Sequence, residues 1–284
     1  MNKSGEGEWD LVIKPKRNLF DLRLREVWKY RDLLILFVRR DFVSFYKQTI
    51  LGPIWFFVQP LFTVIIYTFL FSKLANLSTD GIPPALFYLA GITAWTYFSD
   101  CLLKTSNVLR DNAGIFGKVY FPRLITPLSI IISNLVKFGV QLILLFCLMG
   151  YYAFAGEGFA ITNYIFLYPF FIFLMAALGL GIGMIVACIA NKYRDVAMLL
   201  SFGIQLLMYA TPIVYPLSIV TGNMKLLLLA NPMTTVVEGI RLSLLGQGAF
   251  YPMALLYTVV MTALILVTGV VIFNRVEKDF VDTV

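Results

Sequence analysis

The chain has 284 residues, of which 60% are hydrophobic and 14% charged, with a net charge of +7. Soluble globular chains average about 45–50% apolar and about 25% charged residues. An ordinary soluble enzyme and a disordered chain are both excluded, and the mean hydropathy of +0.83 predicts a polytopic membrane protein. Histidine is absent. That removes a His general base, Ser-His-Asp and Cys-His nucleophiles, and any His-ligated metal or haem. The three cysteines, Cys101, Cys147 and Cys188, each lie in a long apolar run. They read as small core residues, not as a disulfide framework or a metal cluster.

The first 50 residues are polar and basic and carry eleven of the 23 Lys and Arg residues. No short apolar region precedes a small-residue cleavage site, so a secretory signal is not predicted. From Phe20, apolar residues recur at helical spacing through Leu24, Val27, Trp28, Leu34, Ile35, Val38, Phe42 and Phe45, with Arg23, Arg25, Lys29 and Asp32 on other faces. This pattern predicts an amphipathic helix lying in the membrane interface. The uninterrupted apolar stretch 33–38 is too short to cross, because a bilayer needs about 20 residues.

Six later segments are long enough: 51–71, 85–108, 124–154, 164–190, 196–215 and 252–273. With six crossings, both termini lie on one side. That side holds 19 Lys and Arg residues and the other three, Lys73, Lys225 and Arg241, while Lys137 falls inside the third span. The asymmetry predicts cytoplasmic termini. Most of the positive charge is therefore topology, and no nucleic-acid partner is implied. The stretch 109–123 reads as a polar cytoplasmic loop with helical potential. The stretch 216–251 is long but apolar, broken at Asn231-Pro232 and ended by Gly246-Gln247-Gly248. It predicts two short re-entrant helices, since irregular backbone at membrane depth needs protein or a cavity around it. The predicted fold is an all-α polytopic membrane protein. Residues 1–50 form a cytoplasmic segment with the interfacial helix, and residues 51–284 form the six-helix domain.

Catalytic and cofactor signatures are sparse. The lone Gly-Lys pair, Gly117-Lys118, lacks the upstream glycine and the Ser/Thr of a phosphate-binding loop. No catalytic, cofactor-binding or metal-binding residues are assigned. Inside the spans, Asp100 and Lys104 have the i,i+4 spacing of a local ion pair. Lys137 is expected beside a polar partner or snorkelling, with ion coupling as the alternative. Gly179 and Gly183 form a small-xxx-small ridge, expected to pack within the subunit in preference to a subunit interface.

Several motifs in order carry a resemblance. They are Leu24-Arg25-Glu26 through Tyr30-Arg31-Asp32-Leu33, Val38-Arg39-Arg40-Asp41, Tyr46-Lys47-Gln48-Thr49, Leu51-Gly52-Pro53-Ile54-Trp55 and Gln59-Pro60-Leu61. Later come Tyr193-Arg194-Asp195-Val196, Thr211-Pro212-Ile213-Val214-Tyr215-Pro216, Asn231-Pro232-Met233, Glu238-Gly239-Ile240-Arg241 and Glu277-Lys278-Asp279-Phe280-Val281-Asp282. From about Trp9 onward the chain resembles the transmembrane subunit of a type-2 ABC exporter, in the branch that exports O-antigen, capsule and teichoic acid polysaccharides.

The resemblance implies a homodimer of this subunit, two copies of a separate ATPase subunit that carries ATP and Mg, and a lipid-linked polysaccharide substrate in the bacterial inner membrane. It maps an ATPase-coupling helix onto 112–122, with Gly114, Phe116, Gly117 and Tyr120 as contact or turn residues. A second contact falls at 191–196, including Arg194 and Asp195. It maps an outer gate onto the region 216–250, with Asn231, Pro232, Glu238 and Arg241. Arg39, Arg40 and Lys47, beside the Gly52-Pro53 interruption, are candidates to meet the lipid pyrophosphate, because arginine forks match phosphate geometry. Contact with anionic membrane lipids is the alternative role for these cations. Tyr46, Trp55, Phe56, Tyr209 and Tyr215 are candidate channel-lining aromatics. The competing functions are a type-2 exporter of drugs, haem or lipids, a membrane-embedded glycolipid enzyme, and a passive channel or scaffold.

Overall fold

The structure is a computed structural model that describes residues 24–47, 49–119, 121–156, 163–193 and 195–281. Side chains are described from Glu26 onward, apart from those of Phe45, Tyr46 and residues 277–281. A short helix, α1 (Leu24–Lys29), turns at Tyr30 into α2 (Arg31–Tyr46). A 3₁₀ turn at Gly52–Ile54 then leads into α3 (Trp55–Tyr67), which continues as a π-helical stretch over Thr68–Leu74. Next come α4 (Pro84–Ser106), the small helices α5 (Val108–Asp111) and α6 (Ala113–Phe116), and α7 (Ile125–Ala155). A 3₁₀ turn at Asn163–Leu167 opens α8 (Tyr168–Ala190), and α9 (Asp195–Tyr209) follows. The last third holds α10 (Gly222–Leu229), α11 (Pro232–Leu245) and α12 (Pro252–Val281).

Sequence chemistry sets these boundaries. Pro84, Pro232 and Pro252 open α4, α11 and α12, where a missing N–H costs nothing. Gly156 and Gly246 close α7 and α11 in the left-handed conformation, at φ 75° and 70°, which lets the chain leave each helix without a Cβ clash.

Five helical segments are long and apolar enough to cross a membrane: Gly52–Leu74, Pro84–Ser106, Ile125–Ala155, Asn163–Ala190 and Pro252–Val276. They correspond to five of the six predicted spans. The segment predicted at 196–215 is an apolar helix of 15 residues, α9. At 1.5 Å per residue it reaches about 22 Å, short of the roughly 30 Å hydrocarbon core. Its remainder is an irregular stretch in which Thr211, Pro212, Ile213 and Val214 are buried. The two short helices predicted before the last span are present as α10 and α11.

The bundle is built around α4, in which 16 of 23 residues are buried, against three of the 23 in Gly52–Leu74. Helices α3, α7, α8, α9 and α11 all pack on it. The glycine ridge is one of the closest contacts. A Cβ on Gly179 would sit 2.9 Å from Cys101 Cβ, and one on Gly183 would sit 2.6 Å from Thr105 Cβ. Both glycines face α4. Gly181, between them, faces α12, where a Cβ on Gly269 would come within 2.5 Å of the Gly181 carbonyl. The ridge serves packing within the subunit, as expected, and seats α8 between α4 and α12.

Candidate functional site

At the basic end, α2 lies along α7 and against the loop that holds α5 and α6. Phe37 of α2 meets Phe121 edge-on at 5.7 Å, Phe121 stacks on Phe116 at 5.8 Å, and the Arg123 guanidinium lies over Phe116. Val27, Leu124 and Phe273 complete this apolar cluster. Phe116 is therefore buried, and it holds the loop's shape from inside. The outward surface is left to Ala113, Gly114, Gly117, Lys118 and Val119, which is 56% exposed. Asp195 is exposed in the first turn of α9, where an acid favours the helix dipole. Tyr120 and Arg194 lie outside the described residues.

The three candidate phosphate-binding cations are placed differently. Arg39 is exposed on α2, and Lys47 is exposed at its C-terminus. Arg40 is exposed as well but is tied down, with Nη2 2.8 Å from Asp41 Oδ1 and 3.4 Å from Asn112 Oδ1, and its guanidinium lies over Phe37. Asp41 thus shares the Arg40 charge. Arg40 also borders a pocket of about 290 Å³, walled by Ser44, Lys104, Asn112, Ser133 and Asn134 among others. Gly52 adopts φ +53° and Pro53 follows it at the start of the 3₁₀ turn, so the interruption before span one is a left-handed bend.

Toward the C-terminal end of α4 and in the first half of α7, Lys137 Nζ lies 2.6 Å from Asp100 Oδ2, and Lys104 Nζ donates to Asn134 Oδ1 at 2.8 Å. The polar partner expected for Lys137 is present. Two cross-helix contacts join the helices here, because α7 presents Asn134 and Lys137 one turn apart opposite Lys104 and Asp100, and Asp100 remains within electrostatic reach of Lys104.

The candidate channel aromatics divide. Tyr209 is 60% exposed and accepts a hydrogen bond from Tyr215 Oη through its carbonyl at 3.2 Å. Trp55 is 48% exposed at the other end of the bundle. Phe56 is instead buried beneath α2, its ring 6.0 Å from that of Phe42, so it belongs to the packing of α3. The Tyr46 side chain lies outside the described residues. Sequence reasoning missed polar residues on outward faces of apolar helices. Gln59 is exposed on α3, and Ser201 and Gln205 are exposed on α9 about two turns and one turn before Tyr209. Their signal was present: i, i+4, i+8 spacing of polar groups in a helix otherwise apolar enough to be membrane-embedded.

At the far end, Asn231 caps α11 by accepting from Met233 N at 3.0 Å and donates to Thr211 Oγ1 at 2.9 Å. Arg241 is 1% exposed. It donates to the carbonyls of Pro212 at 2.6 Å and Ile213 at 2.8 Å, and pairs with Glu238 at 3.1 Å. Its guanidinium lies 3.6 Å from the Phe87 ring centroid. Glu238 also accepts from Ala249 N at 3.0 Å. Burial pulls the Arg241 pKa below its ordinary value, and the Glu238 carboxylate pushes it back. Removing one partner from such a buried pair costs about 3–5 kcal/mol, because the other charge is left uncompensated. Arg241 is thus an internal clasp and not an outward-facing cation.

Residues 32–245 match the ABC-2 type transporter family, most of the chain, and the chain belongs to that family. It is a multi-pass membrane protein of the permease type. Among curated proteins it is similar to the O-antigen export system permease protein RfbA of Myxococcus xanthus, 29% identical over 217 residues, which is 75% of this chain and 80% of the relative. It is also similar to the protein of the same name from Klebsiella pneumoniae, 24% identical over 253 residues, covering 88% of this chain and 94% of that one.

Proposed function

We propose that this chain is the transmembrane subunit of an ATP-driven ABC exporter that moves a polyprenyl-pyrophosphate-linked, O-antigen-like polysaccharide out of the cytoplasm across the bacterial inner membrane. Two copies of the chain form the pathway, and two copies of a separate ATPase subunit bind ATP and Mg and supply the energy. The observation that carries this reading is the outward face of α3 and α9, both packed on α4, with Gln59, Ser201, Gln205, Tyr209 and Trp55 exposed. Polar side chains at membrane depth are costly against lipid and are expected to face a bundle interior or a wet cavity. Turned toward a second copy, these faces enclose a path with hydroxyls and amides for sugar hydroxyls and aromatic rings for sugar faces. The names of the relatives support a glycan as cargo.

In this reading α9 and the buried stretch after it make the sixth crossing, and both termini lie in the cytoplasm. The loop carrying Gly114, Gly117 and Tyr120, together with Arg194 and Asp195, receives the ATPase. Arg39, Arg40 and Lys47, at the Gly52-Pro53 bend, receive the lipid pyrophosphate. The end that carries α10, α11, Asn231, Pro232, Glu238 and Arg241 forms the outer gate. The test is complementation of a strain lacking the subunit. Surface polysaccharide should return only when this chain and its ATPase are both present. Restored resistance to a drug or restored haem export, without surface glycan, would replace the cargo.

A further inference from the structure

The pocket of about 290 Å³ at the basic end has a wall chemistry that the export reading does not use. Its volume is at the small end of the range for ligand sites, roughly 300–1,000 Å³. Helix α2 contributes Arg40, Asp41 and Ser44, spaced to share one face. Lys104 comes from α4, Asp111 from α5 and Asn134 from α7. The crossing segments Pro84–Ser106 and Ile125–Ala155 end and begin beside it, with Lys104 two residues inside the first. Helix α2 and the end of α1 expose Trp28, Ile35 and Leu36 together with Arg31 and Arg39, the side chains of an interfacial helix. The pocket therefore lies at the level of lipid headgroups.

Its charges are two of each sign. Arg40 is balanced within α2, with Nε and Nη2 engaged by Asp41 and Asn112. Lys104 is held in place by Asn134, which accepts from it at 2.8 Å and is itself fixed by donating to the Ile130 carbonyl at 2.9 Å. Asp111 faces it from another element. The Arg110 that pairs with Asp111 at 3.6 Å is 59% exposed, so water screens that pair.

This balance sorts the ligands. Pyrophosphate would set its negative charges against Asp41 and Asp111. A metal ion would meet Arg40 and Lys104, and no three metal-ligating side chains cluster among the described residues. A quaternary ammonium, or the apolar face of a sugar, needs an aromatic wall. None of the described residues around the pocket is aromatic. A phosphate joined to a primary ammonium satisfies both signs, with charge-assisted hydrogen bonds at each end.

We infer that the pocket binds a phosphodiester carrying a primary ammonium, the phosphoethanolamine group, with the phosphate at Lys104 and Arg40 and the ammonium at Asp111. Two sources offer this group. Phosphatidylethanolamine brings it from the membrane, with acyl chains along Ile132 and Val136, exposed on the adjoining strip of α7. Glycerophosphoethanolamine brings it from water. The inference goes beyond the export reading and holds whatever cargo is moved.

The test uses the complex of this chain with its ATPase, purified in mild detergent and followed by native mass spectrometry. Phosphatidylethanolamine, phosphatidylcholine and phosphatidylglycerol with identical acyl chains are added separately. One phosphatidylethanolamine per copy of the chain should be retained, at a concentration at least fivefold below that needed for the other two. Ser44→Phe places a ring in the pocket from an exposed position and should weaken that binding at least fivefold. Asp111→Asn, also at an exposed position, should bring phosphatidylglycerol level with phosphatidylethanolamine. Neither should change the membrane level, and the comparison of lipids on the unaltered chain decides alone if either variant is poorly made. Millimolar glycerophosphoethanolamine separates the sources: lipid that stays bound places the group on the membrane, and lipid that leaves shows that the soluble form is accepted. Equal retention of the three lipids, displacement by millimolar inorganic pyrophosphate, or unchanged binding in both variants would each overturn the inference.

Discussion

Lys137 of α7 and Asp100 of α4 form an ion pair at 2.6 Å, with side-chain exposures of 14% and 24%, between two apolar helices. Neither charge is stable there alone. Asp100→Asn leaves the ammonium without its counter-charge, and the loss should be about 1–3 kcal/mol, the cost of a buried polar group stripped of its partner. The double change Asp100→Asn with Lys137→Gln should recover most of it. Membrane level and thermal aggregation temperature of the detergent-purified subunit measure both. Full stability in the single variant, or no recovery in the double, would show that the pair does not hold the two helices.

The glycine ridge gives a second expectation. Gly183→Ala places a methyl where Thr105 already lies, 2.6 Å away, whereas Gly139→Ala on α7 meets nothing within 4 Å. Forcing extra atoms into a packed helix contact costs about 1–3 kcal/mol. Gly183→Ala should therefore lower the folded yield and Gly139→Ala should not. Equal behaviour of the two would refute the close α4–α8 seat.

Coupling to the ATPase divides two residues that sequence alone could not separate. Phe116 and Val119 are both apolar and lie in one loop, but Phe116 is buried and Val119 is 56% exposed. Val119→Asp should leave the subunit folded and weaken ATPase pull-down by about tenfold or more, because docking energy concentrates in a few desolvated side chains. Phe116→Asp should lower the level of the subunit itself. A Val119→Asp variant that binds its ATPase normally would move the docking surface elsewhere.

Much of the fold was legible because membrane burial imposes long apolar runs, and prolines and glycines punctuate them. The site was less legible because its residues are sorted by facing direction, which composition does not record. Asp100 looked like a partner for Lys104 at i,i+4, but α7 brings Lys137 to it from 37 residues away. Arg241 counted as an outer-side cation in the charge asymmetry, yet it is the most deeply buried arginine described. Phe56 and Tyr209 are both aromatic on apolar helices, and only the packing of α2 over α3 separates the buried ring from the exposed one.

The basic end separates its cations by their partners. Arg39 and Arg40 are both exposed, but Arg40 pairs with Asp41 and reaches Asn112. Arg39→Ala with Arg40→Ala should give a correctly inserted, ATPase-bound subunit that does not export lipid-linked glycan, and the double Lys variant should restore part of the export. Arg39→Ala alone should cost more export than Arg40→Ala alone, while Arg40→Ala should cost more stability. Surface glycan measured with membrane level distinguishes these. Complete rescue by Lys would reduce the role of both to general membrane electrostatics, worth about 1 kcal/mol per cation near the surface.

The most direct test of the central claim uses inside-out inner-membrane vesicles that contain the chain and its ATPase subunit. Polyprenyl-pyrophosphate-linked polysaccharide labelled in its glycan is added outside, and label protected from a glycan-degrading enzyme is followed with and without ATP. Protected label should accumulate with ATP, and it should be absent without ATP, without this chain, or with an ATPase subunit unable to hydrolyse. Vesicles that hydrolyse ATP through the assembled complex yet leave all of the glycan exposed would contradict the assignment.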